Sequence, residues 1–163
     1  MVGQYAHGNE PSHHIAYLYV YAGAPHETQS RVRSLMETMY KAEPDGMQGN
    51  EDVGQMSAWF LLSALGFYPV DPVSTIYVIG SPLTNGATLS MGKGRMLKVE
   101  VARRNASDAY VSEFWLNGKK QDRAWFHHAD IANGGTLKFV MSDKPNMTLG
   151  ADAKSIPPSL QIV

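Results

Sequence analysis

The sequence predicts an α+β fold, with helices first and a small antiparallel β unit after them. Two observations carry that prediction. Apolar residues recur at roughly every 3.6 positions as far as Leu65 and at every second position beyond Pro72. Turn signals of the hairpin type, such as Thr84-Asn85-Gly86 and Asn117-Gly118, separate the segments of the second part. The change of period falls on Phe67-Tyr68-Pro69-Val70-Asp71-Pro72, which places a boundary near residue 72 and divides the chain into 1–72, 73–148 and a tail, 149–163.

Three helices are expected in the first part. Residues 13–22 read as a helix opened by Pro11 and Ser12, with Ser12 as the N-cap and Ile15, Leu18 and Tyr19 on one face, stopped by Gly23-Ala24-Pro25. Residues 28–42 place Val32, Leu35, Met36 and Met39 at helical spacing opposite arginines and Glu37, and end before the turn Glu43-Pro44-Asp45-Gly46. Residues 53–65 are apolar nearly all round and closed by Gly66, the pattern of a helix buried on most sides. Strands are expected at 75–79, 87–91, 97–102, 111–116 and 136–141, with a short helical turn at 129–132. The Gly92-Lys93-Gly94 turn lacks P-loop spacing and reads as a hairpin. The small, polar, Pro-bearing tail reads as partly disordered.

A length of 163 residues is enough for a real core, and 44% hydrophobic with 18% charged residues is ordinary for a globular chain. A net charge of −1 offers no basic face, so nucleic acid and anionic membrane are excluded as default partners. The apolar stretches 15–24 and 58–72 are too short or too interrupted to span a bilayer. With no cysteine there is no disulfide, thiol nucleophile or thiolate metal site. Nothing near Met1 resembles a signal peptide, and the first motif begins at His7, so the chain reads as cut from something longer.

Two dense stretches hold the chemistry: His7-Gly8-Asn9-Glu10-Pro11-Ser12-His13-His14, and Gly49-Asn50-Glu51-Asp52 continuing through Gly54-Gln55-Met56-Ser57-Ala58-Trp59. Asn50, Glu51 and Asp52 stand ahead of a helix, where free backbone N–H groups favour a carboxylate that serves as a general base toward water. The plain alternative is that Asp52 is an N-cap, with Gln55 completing a capping box. Inverting glycosidases need a carboxylate pair about 6.5–9.5 Å apart. Glu10 and Asp52 supply such a pair if their helices pack side by side. Adjacent His13 and His14 point in different directions on a helix and do not chelate zinc, whereas Asn9 and Glu10 offer the hard oxygens calcium takes. The alternative is a helix-entry loop in which Glu10 caps and the histidines pack on aromatics. Asp122, His127, His128 and Asp130 read as turn chemistry, and the glycosylation patterns at Asn105 and Asn146 as chance matches. Tyr5, Tyr17, Tyr19, Tyr21, Trp59, Phe60, Phe67 and Tyr68 are either core or a sugar platform.

The two motifs, with Ala64-Leu65-Gly66-Phe67-Tyr68-Pro69-Val70 and the later Leu116-Asn117-Gly118-Lys119, His128-Ala129-Asp130-Ile131 and Gly134-Gly135-Thr136-Leu137, resemble the C-terminal portion of α-mannosidases of glycoside hydrolase family 92. The resemblance runs in order along almost the whole chain. It implies a calcium-dependent, inverting, exo-acting hydrolase that removes terminal α-linked mannose, often α-1,2-linked, from N-glycans or mannans. It also implies an N-terminal β-sandwich followed by an (α/α)6 barrel, of which this chain would supply the last helices and the strands after them. By carry-over Asp52 is the catalytic base, with Asn50 and the catalytic Glu51 beside it holding the water, the sugar or the calcium shell; some relatives carry an acid where Asn50 stands. Glu10 contacts calcium or mannose, with Asn9 as a metal ligand and His13 as a substrate contact.

The family's general acid lies in a Tyr-x-Glu-Gly-Asn-Ala-Trp-type motif that this chain lacks. The isolated chain is therefore expected to be inactive without the missing N-terminal part and, with barrel pieces exposed, to self-associate. The resemblance places the parent enzyme in a bacterial periplasm or outside the cell. The rival readings are a non-catalytic carbohydrate-binding or interaction module, and another (α/α)-barrel glycosidase or phosphorylase.

Overall fold

Two helices stand against two sheets in the computed structural model, which describes residues 3–159. Helix α1 spans Pro25–Met39 and α2 spans Gln55–Leu65. The strands are β1 (Phe67–Tyr68), β2 (Ile76–Ile79), β3 (Gly86–Ser90), β4 (Met96–Ala102), β5 (Tyr110–Leu116), β6 (Lys119–Gln121), β7 (Trp125–His127) and β8 (Gly135–Ser142). They form a three-stranded sheet in the order β1-β2-β7 and a five-stranded sheet in the order β3-β4-β8-β5-β6. The expected mixed α and β character and the five expected strands are present to within a residue or so at each end.

The first helix differs from expectation. Residues 13–22 hold a short 3₁₀ helix, Ile15–Val20, preceded by a 3₁₀ turn, Glu10–Ser12. The cause is a competition for one carbonyl. An α-helix would give the His13 C=O to the Tyr17 N–H, but the Trp59 indole N–H takes it at 3.1 Å, and Tyr17 N–H bonds His14 C=O instead at 2.9 Å. Helix α1 begins earlier than expected because Pro25 suits the first helical position, and it ends at Met39 because Tyr40 turns extended to bridge Met47. Helix α2 begins two residues late because Val53 and Gly54 are both left-handed, at φ 55° and 80°. Its Gly66 stop is as expected, with Gly66 N–H reaching the Leu62 and Ser63 carbonyls.

The β region needs two corrections. Strands β4 and β8 are parallel, pairing Leu97 with Gly135 through Ala102 with Val140. An alternating pattern fixes which face a residue takes but not strand direction, and β8 reaches its place between β4 and β5 only after a long excursion. Strands β1, β6 and β7 lie in stretches read as connections. Strand β6 is polar and exists because Asn117-Gly118, at φ 50° and 77°, folds it back on β5. The tail is not loose where it is described: the Trp125 indole donates to the Ser155 carbonyl at 2.9 Å, and Leu149 and Ser155 are buried. Residues 160–163 of the tail lie outside the described residues.

One apolar cluster joins helices and strands, from Tyr17, Val32, Met36 and Trp59 to Phe114, Phe126 and Phe139. Polar clamps tie α1 to the strands. Val111 N–H donates to the Gln29 side chain at 3.0 Å, and the buried Arg33 donates to the carbonyls of Ala106 and Pro82. Phe139 is fully buried and stacked on Phe114 at 5.4 Å between centroids. Phe139→Ala is expected to cost about 3–5 kcal/mol, read from the urea midpoint of unfolding. Helix α2 is not covered on most sides: Met56, Trp59, Ser63 and Ala64 are buried, but Leu61 is 62% exposed. Among the described residues nothing stands over that face. No helix among them is long and apolar enough to cross a membrane.

Candidate active site

The two polar motifs meet at a pair of glycines. A Cβ on Gly8 would lie 2.7 Å from the Gln48 carbonyl oxygen and 3.0 Å from Gly49 Cα, and a Cβ on Gly49 would lie 2.7 Å from both Gly8 Cα and Gly8 O. Only glycine permits this approach. It sets Asn9 and Glu10, which follow Gly8, beside the loop that carries Asn50, Glu51 and Asp52, which follow Gly49.

In the first loop Asn9 is exposed, and its amide N–H donates to Ser12 Oγ at 3.3 Å. Glu10 opens the 3₁₀ turn and is half-buried, and its Oε1 is buried with no hydrogen-bond partner among the described residues. Such an orphaned carboxylate oxygen is costly unless a proton donor or cation meets it.

In the second loop Glu51 spans the helix entrance. Its carboxylate accepts from the Ser57 backbone N–H at 3.1 and 3.2 Å and from the Ser57 hydroxyl. The hydroxyl first, and then the backbone N–H groups of Ser57 and Met56, hold the Glu51 carboxyl below its ordinary range. This closes a tight loop with Asp52, Val53 and Gly54 at its apex. Val53 is a β-branched residue at φ 55°, fully exposed, a conformation that costs on the order of 1–3 kcal/mol. Asp52 is exposed and its carboxylate bonds to nothing among the described residues. Helix α2 is therefore capped by Glu51, not by Asp52. The cap alternative weighed for Asp52 does not hold, and the Glu51 carboxylate, expected to share the chemistry, is already occupied by Ser57. Asn50 is exposed on the same loop.

His13, expected to touch sugar, faces inward and is 1% exposed. Its Nε2–H donates to the His7 carbonyl at 2.9 Å, and its Nδ1 accepts from the Gln55 amide at 3.1 Å, whose other N–H reaches the Tyr68 hydroxyl at 2.8 Å. Burial lowers the His13 pKa, opposed by the His7 carbonyl and the Glu10 charge. The partners assign a neutral ring with the proton on Nε2. The ring therefore holds the loop's shape from behind.

Sequence reasoning offered Tyr5 only as core or sugar platform and Gln55 only as part of a capping box, and did not single out His7 or Tyr40. The Tyr5 hydroxyl donates to His7 Nδ1 at 2.9 Å, His7 Nε2–H donates to the Tyr40 hydroxyl at 2.7 Å, and Tyr40 donates to the Met56 carbonyl at 3.2 Å. Trp59 packs edge-on against His7 at 4.4 Å. His7 lies inside the first motif, which is its only signal. Tyr40 had none, because it lies at the end of a helix 33 residues away from His7.

Burial first, and then the neighbouring His13, push the His7 pKa down to about 4. The rings facing His7 are Tyr5, Tyr40, His13 and Trp59. An unfolded histidine protonates near its ordinary value of 6.5 and the folded one does not until about 4, so the unfolded state binds more protons between them. Stability is expected to fall as pH drops through that window and to level off below it, by on the order of 3 kcal/mol from His7 alone. Urea titrations at pH 7, 5.5 and 4 measure it, and His7→Phe should flatten this part of the profile.

The family model of the glycosyl hydrolase family 92 catalytic domain matches residues 1–143. A sequence described as an uncharacterized secreted glycosidase of Arthroderma benhamiae is 29% identical over 94% of this chain and 20% of its own length. The solved structure of a family GH92 α-mannosidase from Bacteroides thetaiotaomicron is 41% identical and superposes with a TM-score of 0.95 over 99% of this chain and 22% of that one. Its complex with mannoimidazole is similar at a TM-score of 0.94 and 42% identity, over 98% and 21% of the two chains. A family GH92 inverting mannosidase from B. thetaiotaomicron VPI-5482 is 41% identical, with a TM-score of 0.88 over 96% of this chain and 21% of that one. The chain thus spans about a fifth of the length of the relatives it matches.

Proposed function

The chain belongs to glycosyl hydrolase family 92, and from that premise we propose that it forms the C-terminal part of an inverting, calcium-dependent α-mannosidase that removes terminal α-linked mannose, α-1,2-linked first, from N-glycans or mannans. The observation that carries this reading is the Gly8–Gly49 contact, which sets Glu10 and Asp52 on adjoining loops. Asp52 is the general base. Displayed at the loop apex with no protein partner among the described residues, its carboxylate takes a proton from water as the oxygen attacks the anomeric carbon, while an acid from the upstream part protonates the leaving oxygen. Glu51 holds the loop that presents Asp52, and Asn50 orients the water or sugar.

Asn9 and Glu10 are the residues that would hold calcium. The orphaned Glu10 Oε1 and the Asn9 carbonyl fit a hard cation, while no group of three His, Asp or Glu side chains among the described residues suits a metal. The rest of a shell of about six to eight oxygens would come from backbone, sugar and the upstream part. Held by Asn9 and Glu10, calcium would supply Lewis-acid and template chemistry toward the sugar.

Helices α1 and α2 would be the last of an (α/α)6 toroid extending through residue 72, with the strands of 73–148 and the tail, 149–163, closing it. Exposed Leu61 and Ala58 on α2, with Ile15 and Leu18, are the apolar residues that the missing helices would cover, and without them the isolated chain self-associates. The description of the Arthroderma benhamiae relative as secreted supports a parent enzyme outside the cell. Release of mannose from an α-1,2-mannobiose, with and without chelator, tests the reading on this chain and on a polypeptide extended upstream through the acid motif. Calcium-dependent release by the extended form alone is expected. No release by either overturns it in favour of a carbohydrate-binding module.

A further inference from the structure

Resting on the mannosidase reading, we propose that Tyr5, His7 and Tyr40 form a positioning strut that fixes the Glu10 loop against the Asp52 loop. The argument begins with where these residues lie in the chain. His7 immediately precedes Gly8. Tyr40 ends α1 and bridges Met47, two residues before Gly49. The His7–Tyr40 hydrogen bond at 2.7 Å therefore ties together the same two stretches of backbone that Gly8 and Gly49 press into contact. A single contact between two loops is a pivot; two contacts set both separation and angle.

The strut is also directional. Tyr5 donates to His7, His7 to Tyr40, and Tyr40 to the Met56 carbonyl in the first turn of α2, the turn that Glu51 caps. One end thus belongs to the loop of Asn9 and Glu10, and the other to the helix whose mouth presents Asp52. Each member has a single proton to give, so the order of donors fixes the His7 tautomer. His7 is 1% exposed and enclosed by Trp59 and Tyr40, at 4.4 and 5.4 Å between ring centroids, so it does not reach a substrate. It acts through the loops it joins. Tyr40 also lies parallel to Trp59 at 6.1 Å and against Phe60 at 4.6 Å, so Tyr40→Phe keeps the ring packing while removing one acceptor and one donor.

The test has two arms. In the 163-residue chain, long-range proton–nitrogen correlation spectra should show His7 at neutral pH as a single neutral form protonated on Nε2. Tyr40→Phe should then shift the amide signals of residues 8–10 and 49–52. A His7 protonated on Nδ1, or changes confined to α1 and α2, overturns the proposal. In the upstream-extended enzyme, Tyr40→Phe should lower kcat about tenfold with KM nearly unchanged, as outer supports of a site do. Tyr5→Phe combined with Tyr40→Phe should be no worse than Tyr40→Phe alone, because both act through His7. An unchanged kcat in a folded Tyr40→Phe enzyme overturns it. If the wild-type extended enzyme releases no mannose, the mannosidase reading fails while the imidazole and amide signals still decide whether the strut joins the loops.

Discussion

Asp52→Asn is expected to reduce mannoside hydrolysis by the upstream-extended enzyme by about 10²- to 10⁴-fold, the usual cost of removing a general base, without lowering the melting temperature. The two halves of this expectation come from one observation. Asp52 lies at the apex of the loop that Glu51 closes on Ser57, exposed, with its carboxylate hydrogen-bonded to no described residue. Its carboxylate contributes nothing visible to the fold, and the amide that replaces it has the same size. Glu51→Ala should behave oppositely. It removes the acceptor of the Ser57 N–H and hydroxyl and releases the left-handed Val53, so the melting temperature falls and activity falls with the loop's order. If Asp52→Asn melts early and Glu51→Ala does not, the roles are exchanged. If Asp52→Asn hydrolyses mannobiose at the wild-type rate, Asp52 is not the base.

The contrast between these neighbours shows where the sequence could and could not be read. A run of Asn50, Glu51 and Asp52 before an apolar helix announces a polar helix mouth, but which carboxylate caps and which faces solvent depends on two residues, Val53 and Gly54, that turn left-handed. No propensity places a valine there. The 3₁₀ stretch after His13 has a similar origin, since its local pattern is helical and a tryptophan 46 residues away takes the carbonyl that an α-helix needs. Strands β3, β4, β5 and β8 are legible because one face of each is buried, or in β3 half-buried, and period 2 follows from that. Parallel pairing of β4 with β8, and β6 as a strand, are not, because direction and edge pairing depend on connections rather than on side-chain alternation. Helix α2 was not legible as a partly exposed helix. It is apolar nearly all round, yet Leu61 is exposed, because an apolar pattern states what a face can bury and not what stands against it.

Gly49→Ala is expected to damage both stability and activity. The added carbon would sit 2.7 Å from Gly8 Cα and Gly8 O, both backbone atoms that cannot rotate away, and the residue would hold φ +90°. The left-handed backbone costs about 1–2 kcal/mol for any residue with a Cβ, and the overlap adds about 1–3 kcal/mol of overpacking unless the loops separate. Gly92→Ala separates the two contributions, because Gly92 has φ +76° with nothing within 4 Å of its Cβ position. It should show the conformational cost alone and full activity. Gly8→Ala isolates the other part, since its φ is ordinary and its Cβ meets the Gln48 carbonyl at 2.7 Å. Either relief of that overlap, unfolding or parting of the loops, moves Glu10 away from Asp52. A displacement of about 1 Å between cooperating groups is enough for a loss of about a hundredfold in rate. Urea midpoints of the three variants, set beside kcat/KM of the same changes in the upstream-extended enzyme, read both effects. Equal stability loss in Gly49→Ala and Gly92→Ala, with activity retained in both, would mean that the two loops are not held by this contact and that the paired-motif site is assembled some other way.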